Sequence, residues 1–142
     1  IKLLVENSLQ WKVPLNWFGS LETKELDGKN VIDIKLQGTA IVVDCARIYS
    51  LANGIGAVNT RERLAAIGRV LQVTEAESQA WIAAFEYLQT LRLAAQIDAH
   101  SLAGNPNAVD VDQLNSVDRT ILRESLSKVR NLQQHLELDY VR

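Results

Sequence analysis

Two long stretches in the C-terminal half repeat their apolar residues at the spacing of a helix face, and this repeat commits the chain to a helical core. In the first, Trp81, Phe85, Leu88, Leu91 and Ala95 recur at steps of three or four. In the second, Ile121, Leu122, Leu126, Val129, Leu132, Leu136 and Tyr140 do the same. Such a stripe buries one side of a helix and leaves the other to water, so each helix needs a partner. Thr74 followed by Glu77 has the form of a capping box and opens the first helix, expected to run to about Leu102. Ser116 is the expected cap of the second. Gly104-Asn105-Pro106-Asn107 between them reads as a loop.

Two shorter helices precede this pair. Ile41, Cys45, Ile48 and Ala52 share one face, and Asn53-Gly54 closes that helix with a residue type that tolerates the left-handed backbone. Thr60 is the expected cap of the next, with Leu64, Ile67 and Leu71 inward. Upstream, residues 31–37 alternate Ile32, Ile34 and Leu36 with Asp33, Lys35 and Gln37, the period of a strand with one buried face. Asp27-Gly28 signals a hairpin whose partner strand lies between Trp17 and Leu26. The expected fold is mainly α, a four-helix bundle with a short N-terminal β-hairpin or extended segment. Residues 1–12 read as the tail of an upstream region and 13–142 as the helical domain. The chain has no methionine and begins within an apolar, helix-like run, so a further domain is expected before it.

Charge and cysteine content narrow the function classes. The net charge of −2 leaves no overall attraction for nucleic acid or an anionic membrane, so neither is expected as a partner. Cys45 is the one cysteine, set in an apolar run, where a buried inert thiol is expected. With it and only two histidines, His100 and His135, a thiolate zinc site has too few ligands. His100 reads as a helix-end or surface histidine and His135 as solvent-facing. A reducing cytoplasm is the expected compartment.

No Ser-His-Asp elbow and no glycine-rich strand-to-helix loop is present, so no catalytic residue is assigned. Asp110 and Asp112 have the spacing of a shared metal pair, but loop polarity and a following helix start account for it equally, and no metal ligand is assigned. The informative polar residues stand where apolar ones were due. Arg92 continues the stripe of Trp81, Phe85 and Leu88, with Gln96 one turn on. Asp44 and Arg47 sit beside core positions, and Asp118-Arg119 and Arg123-Glu124 open the last helix. Charges at such positions should meet as ion pairs across helices, or face a substrate groove. An arginine fork suits carboxylate and phosphate alike, so both readings stay open.

A set of motifs then occurs in order: Asp33-x-Lys35-x-x-Gly38, Val43-Asp44-x-Ala46-Arg47, Asn59-Thr60-x-x-Arg63-Leu64, Phe85-x-x-Leu88-x-x-Leu91-Arg92-x-x-x-Gln96, Asp118-Arg119-x-x-Leu122-Arg123-Glu124 and Leu132-Gln133. Together, from about Val13 to the C-terminus, they resemble the family called Putative nucleotidyltransferase substrate binding domain. That domain ends bacterial signal-transduction proteins in which a cyclic-nucleotide-binding-like domain and paired CBS domains precede a nucleotidyltransferase domain. The resemblance implies an upstream catalytic domain related to the protein-PII uridylyltransferases, carrying Mg²⁺ and a nucleoside triphosphate, with no cofactor in this domain. It implies that the helical domain covers that catalytic domain and helps hold the acceptor. The segment from Asp33 and Lys35 to Asp44 and Arg47 also looks like a stretch of the nitrogen-regulatory uridylyl- and adenylyltransferases, with Val43 where those carry arginine. On this reading Asp33, Lys35, Asp44, Arg47, Arg92 and Arg119 bind substrate.

Two functions are therefore carried forward. One is an accessory substrate-binding domain of a bacterial nucleotidyltransferase of the protein uridylyl or adenylyl transfer type, with an acceptor protein as partner. The other is a helical interaction or homodimerisation module that relays signals from upstream CBS or cyclic-nucleotide sensor domains, with Trp11, Trp17 and Phe18 at the interface.

Overall fold

The structure, a computed structural model, describes residues 1–97 and 104–141. It is mainly α, as the periodicity requires, with a small sheet at one end. Helix α1 (Lys2–Ser8) leads through an extended segment to strands β1 (Lys24–Leu26) and β2 (Lys29–Asp33). A π-helical turn (Lys35–Thr39) runs directly into α2 (Ala40–Asn53), followed by α3 (Thr60–Val70) and α4 (Glu75–Ile97). Strand β3 (Ala108–Asp110), a 3₁₀ turn (Val111–Gln113) and α5 (Ser116–Tyr140) complete the order.

Cross-helix bonds fix the directions. Trp81 Nε1 donates to Asn131 Oδ1 at 3.2 Å and Tyr87 Oη to the Asp118 carbonyl at 3.2 Å, so α4 and α5 run antiparallel. Tyr49 at the end of α2 donates to Asp139 near the end of α5, so those two run in parallel. Between them lies one core in which Leu64, Leu88, Leu122, Leu126 and Leu136 are fully buried, together with Trp81, Tyr49 and Ile34. Val5 of α1 is buried in the same core, because α1 packs on α2 and α5.

The hairpin forms as expected. Asp27 and Gly28 both take positive φ, 52° and 75°, which a two-residue turn between twisted strands needs. The sheet gains a third strand that alternation had not announced, since β3 pairs antiparallel with β2, placing Val109 opposite Ile32. The expected strand over 31–37 stops at Asp33, and Leu36 and Gln37 belong to the π-helical turn instead. The stop is chemical: Asp33 Oδ1 accepts the amides of Lys35 and Leu36 at 3.1 and 2.8 Å, and so turns the chain.

Two caps shift by one residue. Asn59 rather than Thr60, and Asn115 rather than Ser116, accept the free amides of their helices, from Glu62 and Asp118, each at 2.8 Å. Asparagine ranks at least level with serine and threonine as a cap, and here it lies one place upstream. Thr74 accepts from the Glu77 amide at 3.1 Å, as its motif predicts. His135 is half-buried rather than solvent-facing, edge-on to Trp81 and 3.4 Å from Glu77 Oε1. The expected end of α4 near Leu102 and the reading of His100 lie outside the described residues. No helix among the described residues is long and apolar enough to cross a membrane.

Candidate functional site

The residue that ends β2 also founds a cleft. With Asp33 Oδ1 spent on the turn, its Oδ2 accepts Asn105 Nδ2 at 3.0 Å. Asn105 Oδ1 accepts the Asn107 amide at 2.9 Å, and the Asn107 carbonyl accepts the Ile34 amide at 2.9 Å. Asn107 Oδ1 takes Arg92 Nε at 3.1 Å and Gln96 Nε2 at 3.3 Å. Gln37 Oε1 accepts the Asp33 amide at 3.0 Å. A polar chain thus runs from the strand end, through the loop before β3, to the last turns of α4. It fixes one wall of a cleft of about 470 Å³, where Asp33, Gln37 and Asn105 face Trp11 and the first strand.

A second cleft of about 310 Å³ opens beside α1 and α2, lined by Asn7, Trp11, Asp44, Arg47 and Leu51 among others. Arg47 Nη2 meets Asp44 Oδ1 at 3.0 Å, an i,i+3 pair at the surface. Trp11 lines both clefts and forms the ridge between them. Its position is set from behind, because the buried amide of Gln133 donates to the Trp11 carbonyl at 2.8 Å.

The six residues singled out from sequence therefore fall in three places. Asp33 lines the larger cleft, Lys35 is exposed two residues beyond it, and Arg92 stands behind it on Asn107. Asp44 and Arg47 line the smaller cleft. Arg119 is apart from both, with Nε on the Leu114 carbonyl at 3.0 Å. Among the described residues, no ion pair across helices forms at Arg92, Arg119 or Arg123, where one was expected. Arg92 donates to the Asn107 side chain, Arg119 to the Leu114 carbonyl, and Arg123 to the Thr120 hydroxyl. Cross-helix pairs occur instead between Arg61 and Glu86 and between His135 and Glu77. Asp110 Oδ1 caps the 3₁₀ turn by accepting the Asp112 amide at 3.1 Å, and Asp112 Oδ2 accepts Asn30 Nδ2 at 3.0 Å. Among the described residues no three His, Cys, Asp or Glu side chains converge as a metal site.

Sequence reasoning missed Asn105, Asn107 and Gln37, and it saw Trp11 only as an interface residue. One signal was available: two asparagines two apart around a proline suit an Asx turn, which commits their side chains to backbone. Cys45 behaves as expected. It is 1% exposed, and burial, reinforced by the charge of Asp44, pushes its thiol up to about 12. A thiol so held is not a nucleophile near neutrality.

A family model described as Putative nucleotidyltransferase substrate binding domain matches residues 1–140. Neither the curated proteins nor the solved structures gave a match.

Proposed function

Because this chain belongs to the Putative nucleotidyltransferase substrate binding domain family, we propose that it holds the acceptor for a catalytic domain elsewhere in the same protein and does not catalyse transfer itself. The observation that carries this is the bonded chain Asp33–Asn105–Asn107–Arg92, which holds one wall of a cleft in fixed geometry. A wall ordered before binding loses little entropy when a ligand arrives. Its polar groups also tie the end of β2 and the loop before β3, which the sheet already pairs, to the last turns of α4.

Within this reading the six residues divide by role. Lys35 and Arg47 are exposed and meet the substrate or the catalytic domain directly. Asp44 holds Arg47 by its ion pair, and Asp33 holds the backbone of Lys35. Arg92 and Arg119 position the loop at 105–107 and the start of α5. The catalytic domain supplies Mg²⁺ and the nucleoside triphosphate. The reaction is of the protein uridylyl or adenylyl transfer type. The setting is a bacterial cytoplasmic signalling protein with CBS and cyclic-nucleotide-binding domains.

The test is nucleotidyl transfer by the full-length protein. Lys35→Ala and Arg47→Ala should each lower kcat/KM about tenfold, the loss of one charge-assisted bond. Both side chains are exposed, so the helical signal should not change. Wild-type activity in both variants would remove them from the site.

A second reading is favoured by a different observation. Trp17 and Phe18 are 93% and 90% exposed, on a turn held by Asn16, whose Oδ1 accepts the amides of Phe18 and Ser20 at 2.9 Å. Two large apolar rings on a fixed tip suit an interface, and on this reading the domain relays signals or forms a homodimer. Mass measured against concentration should then show association that Trp17→Ala with Phe18→Ala abolishes. A monomer at every concentration would rule out homodimerisation through the tip.

A further inference from the structure

The charge of the larger cleft is opposite to what a phosphate would need. Glu22, Glu25 and Asp33 line it against the single ammonium of Lys24. Asp33 is fixed there by its bonds to two amides and Asn105, while Glu22 and Glu25 are exposed at the rim. Carboxylates alone would be only a solvated edge. Here they border an open cleft of about 470 Å³, within the ordinary range for small-ligand sites. Its aromatic wall is Trp11, 48% exposed and pinned through its carbonyl by Gln133. Leu26, Val31 and Leu36 supply an apolar surface beside that ring.

A ring face, an aliphatic surface and a carboxylate rim recognise one chemistry together. An alkyl stem lies along the apolar residues, and the positive group at its end meets the indole and the carboxylates. We propose that this cleft takes an organic cation, an ammonium or guanidinium on an aliphatic stem, as the recognised part of the acceptor. The inference rests on the acceptor-binding reading and narrows it to a substrate class. Anionic groups are repelled from the cleft, and any phosphate contact falls to Lys35 and Arg47, which do not line it.

The test follows the Trp11 indole N–H resonance of this chain, assigned by its loss in Trp11→Phe. Spermidine and the capped peptide Ala-Arg-Ala serve as probes, with inorganic phosphate at equal ionic strength as the anionic comparison. At least one cation should shift the resonance saturably, and phosphate should not. Glu22→Gln with Glu25→Gln should weaken that binding about fivefold or more, as expected for two exposed ion pairs. A response to spermidine alone assigns a small amine, and a response to the peptide assigns a protein chain. Failure of both cations to move Trp11, or undiminished binding in the double variant, overturns the proposal.

Transfer by the full-length protein separates this failure from that of the broader reading. If the double variant loses transfer while cations leave Trp11 unmoved, the cation assignment falls and acceptor binding stands. If cations bind but the double variant transfers normally, acceptor binding by this cleft falls.

Discussion

Cys45 and Tyr49 lie one turn apart on α2, and both are held neutral by the core. Burial raises the Cys45 thiol to about 12. Burial, and then the bond to and charge of Asp139, lift the Tyr49 phenol far above its ordinary value. In the unfolded chain these groups ionise near 8.5 and 10. A folded value above the unfolded one gives stability that is complete below the unfolded pKa and declines above it. The fold should therefore weaken from about pH 8.5 upward, more steeply beyond pH 10, as urea midpoints across pH will show. Cys45→Ala should remove the earlier part of that decline. Native protein at pH 8 should react with a thiol reagent only at its rate of unfolding, whereas denatured protein should react at once. Cys45 was legible as a buried thiol because its neighbours are apolar. The Tyr49–Asp139 bond, at 2.6 Å, was not, since the partners are 90 residues apart. No local pattern connects residues that only packing brings together.

Elements were legible where a period could run. Helices α2 to α5 follow their apolar stripes except at Ala52 and Ile121, which are exposed, and the hairpin follows Asp27-Gly28. The errors gather where a polar side chain redirects the backbone. The alternation through Ile32, Ile34 and Leu36 is a true strand pattern, yet Asp33 captures two amides and turns the chain after one buried step. Periodicity counts side chains, while the outcome was set by where two backbone donors found an acceptor. Strand β3 is only three residues long, too short for alternation to register. The larger cleft is a product of these same events, so it was hidden for the same reason. Asp33 was singled out, but Asn105 and Asn107 looked like ordinary loop residues. Asp33→Ala should cost about 1–3 kcal/mol in urea unfolding, the expected penalty for half-buried donors left without an acceptor. Gly68→Ala should cost a similar amount through overpacking. A Cβ there would sit 2.5 Å from Ser78 Cβ, where α3 meets α4. Ser78→Gly in the Gly68→Ala background should recover part of that loss, which a purely local effect on α3 would not allow.

At the scale of the whole molecule the question is how far the single core extends toward the first residues. The chain before Val13 read as the tail of another region, and its exposed Leu3 and Leu4 suit that description. Val5, however, is fully buried against α2 and α5, and the Trp11 carbonyl is the partner of the buried Gln133 amide. Removing residues 1–12 would expose the surface that Val5 covers, worth about 1.5–3 kcal/mol. It would also leave a buried amide unpaired, for about 1–3 kcal/mol more. Their sum is a large share of the roughly 5–15 kcal/mol that holds a domain together. The truncated chain should melt lower by about 10 °C or more, measured by circular dichroism. It should also lose the Trp11 ridge between the clefts, and with it any binding read at that residue. Leu3→Ser, at a 69% exposed position, should leave the melting temperature nearly unchanged and marks the scale of a surface substitution. A truncated chain as stable as the intact one would mean that α1 merely rests on the bundle. A large loss would make the first turns part of the folding unit, and would tie the shape of both clefts to a segment that the sequence reads as the tail of an upstream region.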